Sequence, residues 1–161
     1  MDLTNQLLDF YGGEPLHAGA MYSRGELETL RQAAALVSQQ NDGLDVVVAT
    51  AIADDDTSGV DARCQCIEYA LSVAIADFDC QRVVFDAHKN PQFNQFDRET
   101  LTELRRSQQM NEEMVAIHTF PRIEPLLGLP DVLAWTYRQE YTGRGPAWFD
   151  ALRDQAQVHL L

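Results

Sequence analysis

The chain has 161 residues, 45% of them hydrophobic, which is enough to bury the core of one domain. Its 25 acidic and 12 basic residues give a formal net charge of −13, and such a surface repels the nucleic acid backbone. Broad electrostatic binding to nucleic acid is therefore disfavoured, which leaves only local binding through a metal ion or a small arginine cluster.

The sequence contains neither the apolar run of a signal peptide nor that of a membrane span. We therefore predict a cytoplasmic location and no membrane contact. Cys64, Cys66 and Cys80 cannot all pair, which fits a reducing compartment. The Cys-x-Cys pair lies in a helical pattern with no second cluster, and this favours structural cysteines over a metal site.

The first half of the chain predicts two helices and one strand, after an ambiguous stretch up to about Ala20. Ser23 and Glu26 have the spacing of a capping box and predict the start of the first helix. The apolar run over residues 45–52 is typical of a strand covered on both faces. A second helix follows the loop over residues 54–59, with an apolar stripe formed by Ile67, Leu71, Ile75 and Phe78.

The second half predicts two more strands, "RVVFD" and "VAIHT", and three more helices. Between these strands we predict a loop over residues 87–96 and a helix with Asp97 as its N-cap. A further helix is predicted to start at Pro130 and to end at "GRG", and a last helix to start at Pro146 and continue to the C-terminus.

This alternation of helices and strands predicts a single α/β domain over residues 1–161, a small sandwich with mostly parallel strands. In such sheets ligands bind at the carboxyl ends of the strands. Asp86 closes one strand, and the loop after Thr119 leads to Glu124 and Asp131. We therefore expect three carboxylates at one edge of the sheet.

The segment "EPLLGLPDVLAWTYRQ" resembles the closing motif of a large bacterial family with an RNase-H-like fold, the domain of unknown function 3800 family, in its actinobacterial branch. Asp86, Asn94 and Asp97 match the acid that ends a strand in that family and the Asn-x-x-Asp step that opens its next helix. The resemblance runs from about Leu16 to Leu152. It implies an RNase-H-like three-layer sandwich.

The sequence departs from the family pattern at its beginning. Members of the family open with a strand that carries Asp-Glu-Ser, and here that first hairpin is missing or degenerate. The similar "DDDTSG" follows a strand and precedes a helix, which is the wrong place in the order. A true start upstream of Met1 would also explain the difference, and the exposed sheet edge would then favour a homodimer.

The resemblance implies a metal-dependent nuclease, because RNase-H-like nucleases cut phosphodiesters with divalent ions held by carboxylates. The implied ligands of Mg²⁺ or Mn²⁺ are Asp86, Asp131 and Glu124, and His88 is the candidate for acid–base catalysis. Without the first-strand acid we expect one weakly bound ion and reduced or lost activity. The alternative is a non-catalytic acidic interaction module, a subunit or decoy for a basic protein partner.

Several of these residues also have purely structural interpretations. Asp131 can cap a helix, and Asp86 can cap the loop that follows its strand. Glu124 can be a loop or salt-bridge residue. His118 lies inside a strand, which favours a packed, hydrogen-bonded position. The Arg105–Arg106 pair can bind phosphate or complement the dipole of its helix.

Overall fold

The computed structural model describes residues 14, 16–39, 45–54, 56, 58–145 and 148–161. They cluster in two compact units. The first unit combines the described residues up to Val46 with Thr119–Ala156, and the second comprises Val47–His118 and Gln157–Leu161. The single-domain prediction stays a prediction. The position of the missing first hairpin lies outside the described residues. Pro146, the expected start of the last helix, lies outside them too.

The chain is a mixed α/β protein, as predicted. The helices are α1 (Ala18–Ser23), α2 (Leu27–Ser38), α3 (Gly59–Phe78), α4 (Pro91–Arg106) and α5 (Gly128–Tyr141). The strands are β1 (Val46–Thr50), β2 (Arg82–Asp86), β3 (Val115–Thr119) and β4 (Ala156–Leu160). Two short 3-10 helices cover Pro125–Leu127 and Trp148–Leu152.

The first unit is helical, and its core is formed by side chains from α2, α5 and the second 3-10 helix. Leu30, Val37, Val132, Phe149 and Leu152 have no exposed surface. Helix α5 begins at Gly128, two residues before the predicted start. A Cβ atom at Gly128 would lie 2.7 Å from the Cβ of Leu16, so this close approach of the backbones requires glycine.

The predicted capping box is wrong. Ser23 is the last residue of α1, where its hydroxyl donates to the carbonyl of Gly19 over 2.9 Å. Glu26 occupies the N-cap position of α2 without capping it, and its carboxylate pairs with Arg24. Gly25, with a φ of +77°, turns the chain between the two helices. The Ser-x-x-Glu spacing thus spans a turn between two helices.

The strands form two small parallel sheets, β1–β4 and β2–β3, which confirms the predicted parallel pairing. The amide of Val115 donates to the carbonyl of Gln81 over 3.0 Å, at the beginning of one pair. The amide of Leu161 donates to the carbonyl of Thr50 over 2.9 Å, at the end of the other. The carboxyl ends of β2 and β3 therefore lie at the same edge of their sheet.

The C-terminal helix is the largest error among the predicted elements. Where helix was predicted up to Leu161, the structure has a 3-10 helix followed by β4, which pairs with β1. Pairing with β1 satisfies backbone N–H and C=O groups that an isolated strand would leave without hydrogen-bond partners in the protein. Local helix propensity is too weak to prevent this.

The core of the second unit lies between α3 and α4. It consists of five buried side chains: Leu71, Leu101, Leu104, Met110 and Met114. Ile67 and Ile75 pack against it, as the predicted stripe requires, whereas Phe78 is 39% exposed at the end of α3.

The predicted start of α4 is wrong by seven residues, since the N-cap is Asn90 and not Asp97. The helix begins at Pro91, and the side chain of Asn90 accepts a hydrogen bond from the amide of Gln92 over 3.0 Å. Asn90 is therefore the N-cap, and Pro91 occupies the first turn, where its missing N–H costs nothing. Asp97 lies inside the helix.

None of the described helices combines the length and the apolar character that a bilayer crossing requires.

Candidate functional site

The second unit contains a fully buried acid. Asp97 on α4 has no exposed surface. Its two carboxylate oxygens accept hydrogen bonds from Arg63 on α3, from Nε over 2.7 Å and from Nη2 over 2.8 Å. This is a bidentate arginine–carboxylate pair, the strongest geometry that such a pair adopts.

His118 on β3 completes this cluster. Its Nε2 lies 3.2 Å from Oδ2 of Asp97, and only 10% of its side chain is exposed. Its ring stacks on Phe85 with centroids 5.0 Å apart and an angle of 14° between the planes. The predicted packed, hydrogen-bonded position of His118 is confirmed. Asp97, Arg63 and His118 join α3, α4 and β3, and we name them the Asp97 cluster.

Electrostatics explain why a charged aspartate is tolerated at this position. Burial raises the pKa of the Asp97 carboxyl, but the hydrogen bonds and charge of Arg63, with a smaller contribution from His118, outweigh it. The net pKa therefore lies below its usual range. The hydrogen bond to Asp97 also raises the pKa of Arg63, against the effect of burial. The carboxylate and the guanidinium are both charged.

Asp86 is exposed at the carboxyl end of β2, in the same unit. Its negative charge contributes to the raised pKa of Arg63, so the two side chains interact electrostatically. The Asp86 carboxylate thus lies at the predicted edge of the sheet. It interacts electrostatically with the Asp97 cluster through Arg63.

His88 follows β2 and fixes the start of α4. Its amide donates to Oδ1 of Asn94 over 2.7 Å, and its Nδ1 accepts from the amide of Asn90 over 3.0 Å. Its ring packs on Phe93 at 4.6 Å. One ring nitrogen is therefore already used to hold the loop.

Asp131 belongs to the first unit, where it caps α1. Its Oδ2 accepts from the amide of Ala18 over 2.8 Å and lies 3.2 Å from Nδ1 of His17. The amide of Ala18 is one of the donors that a helix leaves unsatisfied at its N-terminus. The structural interpretation placed this cap at the start of Asp131's own helix, whereas the structure has Asp131 inside the first turn of α5 and capping α1, which is distant in sequence.

Glu124 also belongs to the first unit and is half-buried. It precedes the 3-10 helix Pro125–Leu127, and its side chain makes no capping hydrogen bond. Its amide donates to the carbonyl of Phe120 over 3.0 Å, and its carbonyl accepts from Leu127 over 3.1 Å. Backbone hydrogen bonds thus define its position.

The four predicted site residues divide between the units: Asp86 and His88 lie in the second, and Glu124 and Asp131 in the first. Within the described part of the chain, no group of three or more His, Cys, Asp or Glu side chains has an arrangement that can hold a metal ion. A cation shared by Asp86 and Asp131 stays a prediction.

The three cysteines carry free, half-buried thiols. Burial raises the pKa of the Cys66 thiol, which makes the reactive thiolate rarer. This agrees with the predicted structural role.

Sequence reasoning missed the pairing of Arg63 with Asp97. One signal for it was present: Asp97 lies four residues after Phe93 and four before Leu101, on the apolar side of α4. An acid at such a position requires a buried cation. The identity of the cation had no local signal, because Arg63 lies 34 residues away.

No protein-family model matches the chain, and no similar curated protein or solved structure is found. The resemblance to the domain of unknown function 3800 family therefore stays a prediction.

Proposed function

We propose that the chain is an RNase-H-like α/β domain of nuclease type whose catalysis is reduced or lost, and that it acts in the cytoplasm as an acidic module for a basic protein partner. The observation that carries this proposal is the bidentate contact of Arg63 with Asp97. This contact fixes the guanidinium of Arg63, which interacts electrostatically with the predicted ligand Asp86. The positive charge of Arg63 opposes a cation placed beside it.

The outer face of α3 supports the partner hypothesis. Asp61 and Glu68 are exposed, and seven residues, about two turns, separate them, so they share a face. Neither forms an ion pair with a residue that the structure describes. The only basic residue of α3 is Arg63, which Asp97 engages. The negative charge of this face therefore has no counterion on α3. Such a face is complementary to a basic surface on a partner protein.

A metal-dependent nuclease is the second candidate, and the position of Asp86 favours it. An exposed carboxylate at the carboxyl end of a parallel strand is a suitable ligand for Mg²⁺ or Mn²⁺. In that case Asp86, Asp131 and Glu124 would hold the ion, and His88 would serve in proton transfer.

Incubation of the full chain with single-stranded DNA, double-stranded DNA and RNA, each with Mg²⁺ or Mn²⁺, separates the two candidates. We expect no cleavage above that of a preparation of Asp86→Asn made in parallel. Cleavage by the wild type that is lost in Asp86→Asn and in Asp131→Asn would replace our proposal with the nuclease.

The partner hypothesis is tested by cross-linking in lysate, identification of the captured protein and measurement of its affinity with both proteins purified. We expect a basic protein whose affinity falls as salt rises from about 0.05 to 0.5 M, because exposed charges are screened. The double variant Asp61→Asn/Glu68→Gln should lose most of the binding. The matched control is Glu28→Gln, since Glu28 is already paired with Arg31 in the first unit. An affinity that changes neither with the salt concentration nor in the double variant would contradict binding at this surface.

A further inference from the structure

The second unit has a cleft between α4 and β3, with a volume of about 460 Å³. This is within the range of small-molecule sites. Seven residues line it: Arg98, Leu101, Thr102, Arg105, Ala116, Ile117 and His118. None of them is acidic, although the chain has 25 acidic residues. The cleft is therefore a local positive region on a protein of net charge −13.

Helical spacing places the two arginines on the same wall. Arg98, Thr102 and Arg105 lie at positions i, i+4 and i+7 of α4, and such residues share one helix face. At 1.5 Å per residue, the Cα atoms of Arg98 and Arg105 are about 10 Å apart along the axis. The opposite wall comes from residues 116–118 of β3, and the apolar residues of the lining include Leu101 and Ala116.

The arginines of the cleft have unused hydrogen-bond donors. The Arg98 side chain forms no ion pair or hydrogen bond with a described residue. Arg105 donates from Nη2 to the carbonyl of Met114 over 3.1 Å, which holds its guanidinium at the start of β3. Its Nε is buried and has no partner among the described residues. A buried donor of this kind is normally satisfied, and a small shift of the side chain toward a bound acceptor would satisfy it.

The neighbouring Arg106 shows what an ordinary surface arginine does on the same helix. It lies outside the cleft, is 78% exposed at its side chain and pairs with Glu103. The sequence left two interpretations of this arginine pair, phosphate binding and compensation of the helix dipole, and the two arginines differ in this respect. Arg106 compensates charge on the helix surface, whereas Arg105 is oriented by the cleft wall.

We propose that this cleft binds a small phosphate-bearing anion, with Arg98 and Arg105 as its cationic partners. Guanidinium groups match phosphate oxygens in two-point hydrogen bonds, and the apolar wall accommodates an organic part of the ligand. A long nucleic acid is a poorer fit, because the net charge of −13 repels an extended polyanion. This site is distinct from the acidic face of α3 and does not depend on the partner proposed there.

The test is an NMR titration of the full ¹⁵N-labelled chain with inorganic phosphate, pyrophosphate and a single-stranded oligonucleotide, at constant ionic strength. We expect saturable shifts of the backbone amides of residues 98–105 and 116–118 with pyrophosphate. Arg98→Gln should weaken this binding roughly tenfold, since a hydrogen bond to a charged group contributes about 1.5 kcal/mol or more. The Arg98 side chain makes no described ion pair or hydrogen bond, so this variant should fold normally.

Arg106→Gln is the matched control, and we expect less than a roughly twofold change in affinity for a salt-screened exposed charge. The proposal is overturned if neither phosphate nor pyrophosphate gives saturable shifts, or if Arg98→Gln binds as the wild type does. An equal loss in Arg98→Gln and Arg106→Gln would also overturn it, because it would reveal nonspecific charge attraction. Tighter binding of the oligonucleotide than of pyrophosphate would replace the small ligand with a nucleic acid.

Discussion

Two aspartates, one in each unit, have opposite surroundings. Asp131 in the first unit is 36% exposed at its side chain and binds the amide of Ala18. Asp97 in the second unit is fully buried and binds Arg63 with both oxygens. The sequence predicted Asp97 as a helix cap and left Asp131 open between a metal ligand, as the resemblance implies, and a cap of its own helix. In the structure Asp131 caps α1 instead, and Asp97 is part of a buried ion pair.

The difference shows that burial decides what a carboxylate does. An exposed carboxylate is solvated by water and contributes modestly when it satisfies a helix terminus. A buried carboxylate loses its hydration and is tolerated only with a matched cation and hydrogen bonds. We therefore expect the stability of the second unit to depend much more strongly on Asp97 than that of the first unit depends on Asp131.

The largest effect is expected for Asp97→Ala. It leaves Arg63 without its counterion, and breaking a buried pair costs about 3–5 kcal/mol. Because the Arg63 side chain is 35% exposed, we expect about 3 kcal/mol, at the lower end of this range. Urea unfolding monitored by circular dichroism measures the free energy of unfolding. A loss of less than about 1 kcal/mol would contradict the central role of this pair.

Arg63→Lys should have a smaller effect, because it keeps the positive charge and loses the planar two-point contact. We expect a loss of about 1.5 kcal/mol, the lower end of the range for a hydrogen bond to a charged group. The same urea unfolding experiment measures it. Arg31→Lys is a suitable control, since Arg31 forms an exposed pair with Glu28 and should change the stability little. Equal stability of both lysine variants would mean that the bidentate geometry contributes nothing.

Asp131→Ala should cost about 1 kcal/mol, the usual cost of losing a helix cap. Asp131→Asn should cost less, because its amide oxygen can still accept from the amide of Ala18. Hydrogen exchange of the Ala18 amide reports this cap directly. Unchanged protection of that amide in Asp131→Ala would show that the contact is not formed in solution.

The smallest effect concerns acidic pH, because only part of the titration of Asp97 falls within the accessible range. Since the folded-state pKa of Asp97 lies below its unfolded value of about 3.9, its stabilisation is fully present above that value. It is lost as the pH falls through the lowered folded-state pKa. The wild type should therefore lose more free energy of unfolding than Asp97→Asn between about pH 4.5 and pH 2.5, and equally little between about pH 7 and pH 5. Parallel curves over the acidic range would contradict this linkage.

Much of the second unit was predictable because its elements carry strong local patterns. The apolar runs of β1, β2 and β3 and the stripe of α3 are sufficient to place them. The start of α4 was also predictable in principle, since the Asn90–Pro91 pair is a typical helix start. The predicted site was harder to derive from the sequence, because the local pattern around each of its carboxylates fits a structural role as well as it fits a ligand role.

The sequence by itself determined the α/β class, the parallel direction of the strands and the acidic surface, because these follow from periodicity and composition. Only the tertiary structure decided that Ala156–Leu160 pairs with β1, that Asp131 caps α1 and that Asp97 faces Arg63. Each of these depends on residues far apart in the chain, and their free energies arise from burial and hydrogen bonding that no local pattern encodes.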